Sequence, residues 1–279
     1  MNVTNDISRV RALRWENPHL TWGFVPTMGY LHEGHLSLVR RAREENERVA
    51  VSIFVNPTQF GPNEDLSKYP RALERDLNML RAAHTDLVFT PNDADMYPPG
   101  FQTYVSVGDV AKTLEGASRP SHFQGVATVV TKLFNIVQPT RAYFGQKDAQ
   151  QVAVLRQMVA DLNFNLEFIV CPTVREPDGL AMSSRNKYLS PEERQAATVL
   201  YRALTAAESA WRAGEKRGES LRAIMTATVA HEKLARLDYA SVADPMTMIE
   251  LEHISAQALF SLAVFVGKTR LIDNFLVDS

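Results

Sequence analysis

The stretch Phe24-Val25-Pro26-Thr27-Met28-Gly29-Tyr30-Leu31-His32-Glu33-Gly34-His35 decides how this chain folds. It predicts the end of a buried strand that begins at Trp22, then a tight turn containing Pro and Gly, and then a helix that opens near His35. The start of such a helix offers unpaired backbone N–H groups and the positive end of the helix dipole, which together suit a phosphate group. The stretch therefore predicts a nucleotide-phosphate site at the end of this strand.

Two histidines and two glycines in the stretch indicate how a phosphate would be held. His32 and His35 are three residues apart, so on one helical turn they share a face, where a nearby anion favours their protonated form. Gly29 and Gly34 let the backbone approach a ligand without an intervening Cβ. Two structural histidines are the alternative interpretation. The His-x-Gly-His pattern is shared by nucleotidyltransferases and class I aminoacyl-tRNA synthetases, and alone it indicates adenylyl or cytidylyl transfer.

Strands and helices alternate around this stretch. A short helix with Val10 and Leu13 facing inward is expected within residues 1–20, and an exposed or edge strand at 103–107. Alternation over residues 20–170 is typical of an α/β, doubly wound parallel sheet, whose ligands bind at the carboxyl ends of the strands. The remaining predicted elements of this part are strands at 49–55, 87–89, 141–144 and 166–170 and helices at 71–84, 125–137 and 148–162.

The composition changes after Pro172. Ser190-Pro191-Glu192-Glu193 is a capping box with Pro at the first helical position, and it predicts a long alanine-rich helix that reaches about Ala213. A further helix is expected over about 219–234, followed by strands at 238–243, 261–266 and 269–276. We therefore expect two domains, a parallel α/β domain over 1–173 and a smaller α+β domain over 174–279.

Composition limits the classes of function. A chain of 279 residues with 45% hydrophobic and 22% charged residues is ordinary for a soluble globular protein. Its net charge of −2 gives no reason to expect nucleic acid or an anionic membrane as a partner. No run approaches the ~18 apolar residues of a membrane span, and the single cysteine, Cys171, suits a reducing cytosol. A cytoplasmic protein is expected.

Three further loops carry polar groups that suit a nucleotide or a small acid. Lys147 stands at a predicted strand-to-helix turn, a common phosphate position, with Gln151 in the helical turn beside it. The stretch 182–186 offers two hydroxyls, a guanidinium and loop amides that can wrap a triphosphate. The loop from 56 to 61 offers carboxamides, which pair a donor with an acceptor. A solvated lysine, a Ser-rich turn and ordinary turn chemistry are the respective alternatives.

Taken together, these segments resemble the pantothenate synthetase (pantoate–β-alanine ligase) family. The matching blocks occur in the family's order and extend from about residue 22 to Asn274. They are residues 26–39, 52–60, 65–71, 119–123, 145–151, 173–175, 178–186 and 269–274.

The resemblance implies a reaction and an architecture. The family couples (R)-pantoate to β-alanine with ATP through an enzyme-bound pantoyl adenylate, releasing pyrophosphate and then AMP, on the route to coenzyme A. Mg²⁺ is expected to accompany the nucleotide phosphates. The family is usually a homodimer, with a Rossmann-like domain of nucleotidyltransferase type and a smaller C-terminal domain that closes over the site like a lid.

The resemblance also assigns roles to residues. His35 is the expected proton donor, Gln59 and Gln151 would hold pantoate, and Gln59 would also meet β-alanine. Asn56, from the same carboxamide loop, joins them as an expected substrate-binding residue. The ATP-binding residues would be Met28, Gly29, Tyr30, Leu31, His32, Glu33, Gly34, His35, Gly145, Gln146, Lys147, Asp148, Val174, Met182, Ser183, Ser184 and Arg185.

We expect six of these groups to form a positive catalytic cradle that stabilises charge on the transferring and leaving phosphates: His32, His35, Lys147, Ser183, Ser184 and Arg185. This chain departs from the family's pattern at Gln146, where many members have Glu. It also keeps only Asp76 of the two acids and a glutamine that some members place near the metal, with Arg75 and Met79 at the other positions. No metal site held by the protein is therefore predicted.

Two alternatives to the ligase stay open on the residues alone. One is a nucleotidyltransferase that acts on another small acid or phosphate, which would keep the histidine motif but have no use for Gln59 and Gln151. The other is a catalytically silent nucleotide-binding module, which would tolerate the loss of His35 or Lys147.

Overall fold

A six-stranded parallel sheet forms the centre of the first part of the chain in this computed structural model, which describes residues 1–62 and 64–278. The loop residue Asn63 and the terminal Ser279 lie outside the described residues. The strands are β1 (Asn2–Thr4), β2 (Trp22–Thr27), β3 (Arg48–Ile53), β4 (Leu87–Phe89), β5 (Arg141–Gly145) and β6 (Glu167–Cys171), in the spatial order β1-β4-β3-β2-β5-β6. The order runs outward in both directions from β2, so the predicted doubly wound, Rossmann-like sheet is confirmed.

Helices cover both faces of this sheet. The helices of this part are α1 (Ile7–Trp15), α2 (Glu33–Glu45), α3 (Leu73–Ala82), α4 (Asp93–Met96), α5 (Glu115–Ser118), α6 (His122–Val137) and α7 (Ala149–Asp161). Alternate residues of β2 point to opposite sides, so Phe24 packs with α1, α6 and α7 while Val25 packs with α2 and α3. Since both faces are buried, the central strands are mostly apolar.

Two features at the edge of the sheet differ from the sequence prediction. β1 was not predicted, because three residues are too few to display a strand pattern, yet it pairs in parallel with β4. The predicted strand at 103–107 is wrong. This segment is extended but unpaired: it runs beside α6, where its Val105 N–H donates to Thr128 Oγ1 (3.0 Å).

The C-terminal part folds around its own antiparallel sheet and core. Its elements are α8 (Pro191–Ala196), α9 (Val199–Arg212), α10 (Gly218–Ala230), β7 (Ala235–Ala243), β8 (Ala258–Val266) and β9 (Thr269–Val277), with the strands in the order β7-β8-β9. Leu204 and Leu221 from the helices pack against Phe260 and Leu262 of β8. The predicted smaller α+β unit is therefore present, and its boundary at 173/174 stays a prediction.

The long helix predicted from Ser190 to Ala213 is interrupted. The capping box forms, with the Glu193 N–H donating to Ser190 Oγ (3.2 Å). The helix then breaks between α8 and α9, where the N–H of Thr198 donates to the Gln195 carbonyl (3.2 Å), three residues back, and the Thr198 hydroxyl donates to the same oxygen (2.7 Å). Alanine spacing alone does not reveal such a turn, because a threonine hydroxyl can compete for a helical carbonyl.

Across the ranges that the structure covers, we find no helix with the length and apolar character needed to cross a bilayer. Cys171 is a buried free cysteine, and burial raises the pKa of its thiol.

Candidate active site

A cavity of about 1000 Å³ opens at the carboxyl ends of β2 and β5 and extends to the antiparallel sheet. Parallel strands bring their C-terminal loops to one edge, so segments far apart in sequence meet here. Most of the predicted site residues line it: Met28, His32, Gly34, His35, Asn56, Gln59, Gly145, Lys147, Asp148, Gln151, Val174, Met182, Ser183, Ser184 and Arg185. Asp238, Tyr239 and Arg270 line it from the antiparallel sheet.

The other predicted ATP-binding residues do not line this cavity. Leu31 is fully buried in the core between the sheet and α2, and Glu33 forms an ion pair with Arg40. The Tyr30 ring lies 4.4 Å from Lys187 Nζ, and Gln146 Nε2 donates to Asn274 Oδ1 (3.2 Å). Gly29 is likewise absent from the lining of the cavity. The expected role of these residues in binding ATP stays a prediction.

The histidine pair forms a helix cap. His32 is the N-cap of α2 and lies before the helix, and its Nδ1 accepts from the Gly34 N–H (3.2 Å). His35 Nδ1 accepts in turn from the His32 N–H (3.3 Å), and the two ring centroids are 4.1 Å apart. Because a backbone N–H can only donate, each Nδ1 is unprotonated, and each neutral ring carries its proton on Nε2. The pair therefore offers two Nε2–H donors.

Burial keeps both histidines neutral. It lowers the pKa of His35 to about 3, with repulsion from His32 and Lys147 adding to the effect. It lowers the pKa of His32 to about 4, and Lys147 again contributes. Desolvation of the charged form is the largest influence that the protein exerts on both rings, so the protein alone does not favour the protonated imidazoles expected in the cradle. The histidines can act as neutral hydrogen-bond donors.

Asp76 holds the turn between β2 and α2. Its buried carboxylate accepts from the Tyr30 N–H (2.7 Å) and from the Leu31 N–H (2.9 Å). The turn needs this support because Gly29 and Tyr30 both have positive φ values, of 79° and 49°. A Cβ at Gly29 would lie 2.9 Å from Ile53 Cγ2. Two loop amides are thus already bound by protein and are not available to a phosphate.

The same bonds leave Asp76 poorly suited to hold a metal. Both of its carboxylate oxygens accept from backbone amides. Within the described ranges we also find no group of three or more His, Cys, Asp or Glu side chains that could hold a metal ion. Among the described residues, the side chains therefore do not form a metal centre of the protein's own.

Lys147 and most of the 182–186 segment line the cavity, and their polar side chains also contact other residues of the protein. Lys147 lies in a short 3₁₀ helix, Gln146–Asp148, and its Nζ is 3.8 Å from Asp148 Oδ1. Arg185 donates from Nε and Nη2 to the Asp65 carboxylate (3.2 and 3.1 Å). Ser184 Oγ is 3.2 Å from the Tyr69 hydroxyl. The loop from 56 to 70 thus contacts the second half of the predicted cradle directly.

Asn56 is a support for Gln59. Its Nδ2 donates to Gln59 Oε1 and to the Gly125 carbonyl (both 3.1 Å). Its Oδ1 accepts from the Tyr97 hydroxyl (2.7 Å). The amide of Asn56 is engaged on both sides and only 1% exposed, so it can hold Gln59 in place, and its expected direct contact with substrate stays a prediction. Gln59 itself also donates to Met28 Sδ (3.4 Å).

A sequence profile of the family described as pantoate-beta-alanine ligase matches residues 2–276. The chain belongs to this family. It is 62% identical over 279 residues to the pantothenate synthetase of Roseiflexus castenholzii, covering 100% of both chains. It is 63% identical to that of Chloroflexus aurantiacus, over 100% of this chain and 99% of the other.

Solved structures agree with this assignment. A pantothenate synthetase from Thermus thermophilus superposes with a TM-score of 0.95 at 49% identity, over 99% of each chain. A pantoate-β-alanine ligase from Francisella tularensis, described as complexed with β-γ ATP and β-alanine, gives a TM-score of 0.81 at 38% identity over 99% of this chain and 97% of that one.

Sequence reasoning missed the residues that support the site of this pantoate–β-alanine ligase family member. From the sequence, the block 119–123 carries no prediction beyond its match to the family. His122 Nδ1 donates to the Gln59 carbonyl (2.9 Å), and Arg119 Nη2 donates to the same oxygen (3.3 Å) while pairing with Glu64. Burial lowers the pKa of His122 to about 4, which keeps it neutral. The only sequence signal for this role is that the block occurs in the family's order, because its hydrogen-bond partners are distant in sequence.

Proposed function

We propose that this chain condenses (R)-pantoate with β-alanine at the expense of ATP, through a pantoyl adenylate, with release of pyrophosphate and AMP. One observation carries the proposal: a single cavity is lined by the histidine pair, Lys147, the 183–185 segment and the glutamines 59 and 151. Donors suited to phosphate and amides suited to a hydroxy acid thus share one space. Membership of the family and the ligands named for the Francisella tularensis structure add support.

The first half-reaction needs no nucleophile from the protein. An oxygen of the pantoate carboxylate attacks the α-phosphorus of ATP, and the bond from this phosphorus to the pyrophosphate oxygen breaks. Two anions must be held together, so positioning and charge stabilisation supply most of the rate. We assign the cationic part of this task to Lys147 and Arg185, and neutral Nε2–H donation to His32 and His35.

The second half-reaction makes the amide. The neutral amine of β-alanine attacks the acyl carbon of the adenylate, a C–N bond forms, and AMP leaves with the electron pair of the broken C–O bond. The nitrogen loses one proton, which the departing phosphate takes up. Gln59 is our candidate for holding both acids. His122 and Arg119 donate to its main-chain carbonyl and so fix the position from which its side chain extends. We assign Gln151 to pantoate alone.

Several finer points belong to the same proposal. The nucleotide would bring Mg²⁺ on its phosphates, and no step assigned to the residues above depends on a metal held by the protein. Residues 174–279 would act as the domain that shields the adenylate from water. A homodimer in the cytoplasm completes the proposal, on the basis of the resemblance to the family.

Exchange of labelled pyrophosphate into ATP tests this function. We expect exchange that depends on pantoate. Exchange without pantoate would indicate a nucleotidyltransferase acting on another small acid or phosphate, and absence of exchange would indicate a silent nucleotide-binding module.

Replacing Lys147 with Ala tests the assignment of the cradle. Loss of one such donor typically costs about 3–4 kcal/mol, or 10²–10³-fold in rate, so we expect exchange to fall by that factor. Lys112→Ala is the matched control, because Lys112 is an exposed lysine paired with Asp109 on the surface. Undiminished exchange in Lys147→Ala would remove this residue from the cradle.

A further inference from the structure

One buried amide from the antiparallel sheet holds the turn that carries Lys147. Asn274, on β9 and 4% exposed, donates from Nδ2 to the Gln146 carbonyl (3.0 Å) and to the Lys147 carbonyl (2.9 Å). Its Oδ1 accepts from Gln146 Nε2 (3.2 Å). Three hydrogen bonds therefore join the last strand of the chain to the 3₁₀ turn between β5 and α7.

The chemistry of these partners fixes the orientation of the Asn274 amide. Two carbonyl oxygens can be served only by its NH₂ group, so its oxygen must face residue 146. Residue 146 must then donate, as the amide of Gln146 does and as an ionised Glu cannot. At Gln146, where this chain departs from the family, the side chain therefore donates to β9.

Asn274 is itself held rigidly. Its N–H donates to Asp273 Oδ1 (2.8 Å), and the Asp273 carboxylate forms a bidentate pair with Arg175 (2.6 and 2.9 Å). The Arg175 guanidinium lies near the rings of Tyr201 (5.2 Å) and Phe275 (5.0 Å). An amide in this setting has little freedom to move, so it can define the position of the turn that it contacts.

We propose that Asn274 is a positioning residue for Lys147, so that correct seating of the antiparallel sheet and assembly of the phosphate site are a single event. This inference rests on the proposed function, because it takes Lys147 to act on the phosphates. Asn274 contributes by fixing two backbone carbonyls of the turn from which the Lys147 side chain extends. A displacement of about 1 Å at a reacting group can cost on the order of 10²-fold in rate.

Asn274→Asp is the test variant. It keeps the shape of the side chain but turns a carboxylate oxygen toward two carbonyl oxygens, which repels the turn. We expect pantoate-dependent pyrophosphate exchange to fall about 10- to 100-fold, in kcat, with the dissociation constant of pantoate unchanged. Ser241→Ala is the matched control: Ser241 is a fully buried polar residue on β7 of the same sheet, outside the cavity. It should leave exchange unchanged.

A double-mutant cycle separates positioning from a general structural effect. If Asn274 acts through Lys147, then adding Asn274→Asp to Lys147→Ala should lower exchange by less than about twofold further. Full additivity of the two losses, or undiminished exchange in Asn274→Asp alone, overturns the inference. If wild-type protein gives no pantoate-dependent exchange, the proposed function fails instead.

A second variant covers the case in which Asn274→Asp does not fold, judged by its thermal unfolding transition. Gln146→Met removes the donor to Asn274 Oδ1 from the partly exposed side of the contact. We expect it to lower exchange in the same direction by a smaller factor, and to be non-additive with Lys147→Ala. If Gln146→Met leaves exchange unchanged, or if its loss adds fully to that of Lys147→Ala, the positioning role of Asn274 is wrong.

Discussion

His35 combines a catalytic assignment with a cost in acid stability. Its ring is neutral because burial disfavours the charged form, and its Nδ1 is engaged as an acceptor in the cap of α2. Protonation of that nitrogen would break the cap and place a charge beside His32 and Lys147. The role that fits these constraints is donation from Nε2 to an oxygen that gains charge during the reaction, with the proton staying on the ring.

Acid stability follows from the lowered pKa. The unfolded chain binds a proton at each histidine near pH 6.5, whereas folded His35 binds one only near pH 3. Between these values the unfolded state carries more protons, so the free energy of unfolding falls as the pH falls. Each buried histidine contributes a slope of up to about 1.4 kcal/mol per pH unit. We expect His35→Asn to remove one such contribution between pH 6.5 and pH 4.5.

Urea unfolding at several pH values measures this slope. His253→Asn is the control, because His253 is exposed, and it should keep the wild-type slope. An unchanged slope in His35→Asn would mean that His35 is protonated in the folded protein at these pH values, and the neutral-donor role would then be wrong.

At the scale of single residues, the sequence predicted which side chains lie close together, but it did not predict the charge that they carry. Spacing after a strand was enough to bring His32 and His35 together, because the cap geometry is local. Their desolvation depends on packing against the whole cavity wall, which no local pattern encodes. Asn56 illustrates the same limit: its residue type suggested a substrate contact, but not the hydrogen bonds of its amide with the distant Gly125 and Tyr97.

The turn between β2 and α2 depends on a residue from another element. Asp76, in the first turns of α3, accepts from two amides of a turn with two positive φ values. In Asp76→Asn one acceptor becomes a donor that faces an N–H, so at least one buried bond is lost. We expect a loss of about 1–3 kcal/mol in the free energy of unfolding and a fall in pyrophosphate exchange, because the histidines follow directly on this turn.

Chemical denaturation and the exchange assay check both effects. Glu74→Gln is the matched control, since Glu74 is an exposed acid in the same turn of α3. If Asp76→Asn keeps wild-type exchange, the position of the histidines does not depend on the two hydrogen bonds to the Asp76 carboxylate.

Elements with strong periodicity were predictable, and their interruptions were not. Apolar spacing located β4 and the body of α6, because these segments pack along most of their length. β1 and the break at Thr198 depend on a sheet edge and on one hydroxyl, which are tertiary and local effects that leave periodicity unchanged. The extended segment at 103–107 shows the reverse case, in which strand spacing is present but the segment contacts α6, through Thr128, and pairs with no strand.

Contacts between the two parts of the molecule could not be predicted from the sequence. Arg185 meets Asp65, and Asn274 meets the Lys147 turn, across more than a hundred residues of chain in each case. Strand alternation predicted which loops converge at the carboxyl edge, and so most of the cavity lining. Strand alternation gave no information on how the antiparallel sheet docks. Docking depends on pairs of side chains that are far apart in sequence and follow no periodic pattern.

Glu115 provides the last test of how the parts act together. The buried carboxylate, from α5, accepts two bonds from Arg270 of β9 (2.7 and 2.8 Å) and one from the Tyr239 hydroxyl (3.1 Å). Glu115→Gln keeps the shape but sets an NH₂ group against the guanidinium. If the antiparallel sheet shields the adenylate, weaker docking should admit water, so the variant should form more AMP than pantothenate.

Glu232→Gln serves as the matched control, because Glu232 pairs with Arg202 of α9 (3.2 Å) inside the C-terminal part, and neither residue lines the cavity. We expect Glu115→Gln to lose about 1–3 kcal/mol of unfolding free energy, since its pair is desolvated. Glu232→Gln should lose at most about 1 kcal/mol, because its pair is more exposed, and should keep AMP and pantothenate equal. Equal amounts of both products in Glu115→Gln would mean that docking at Arg270 does not contribute to shielding.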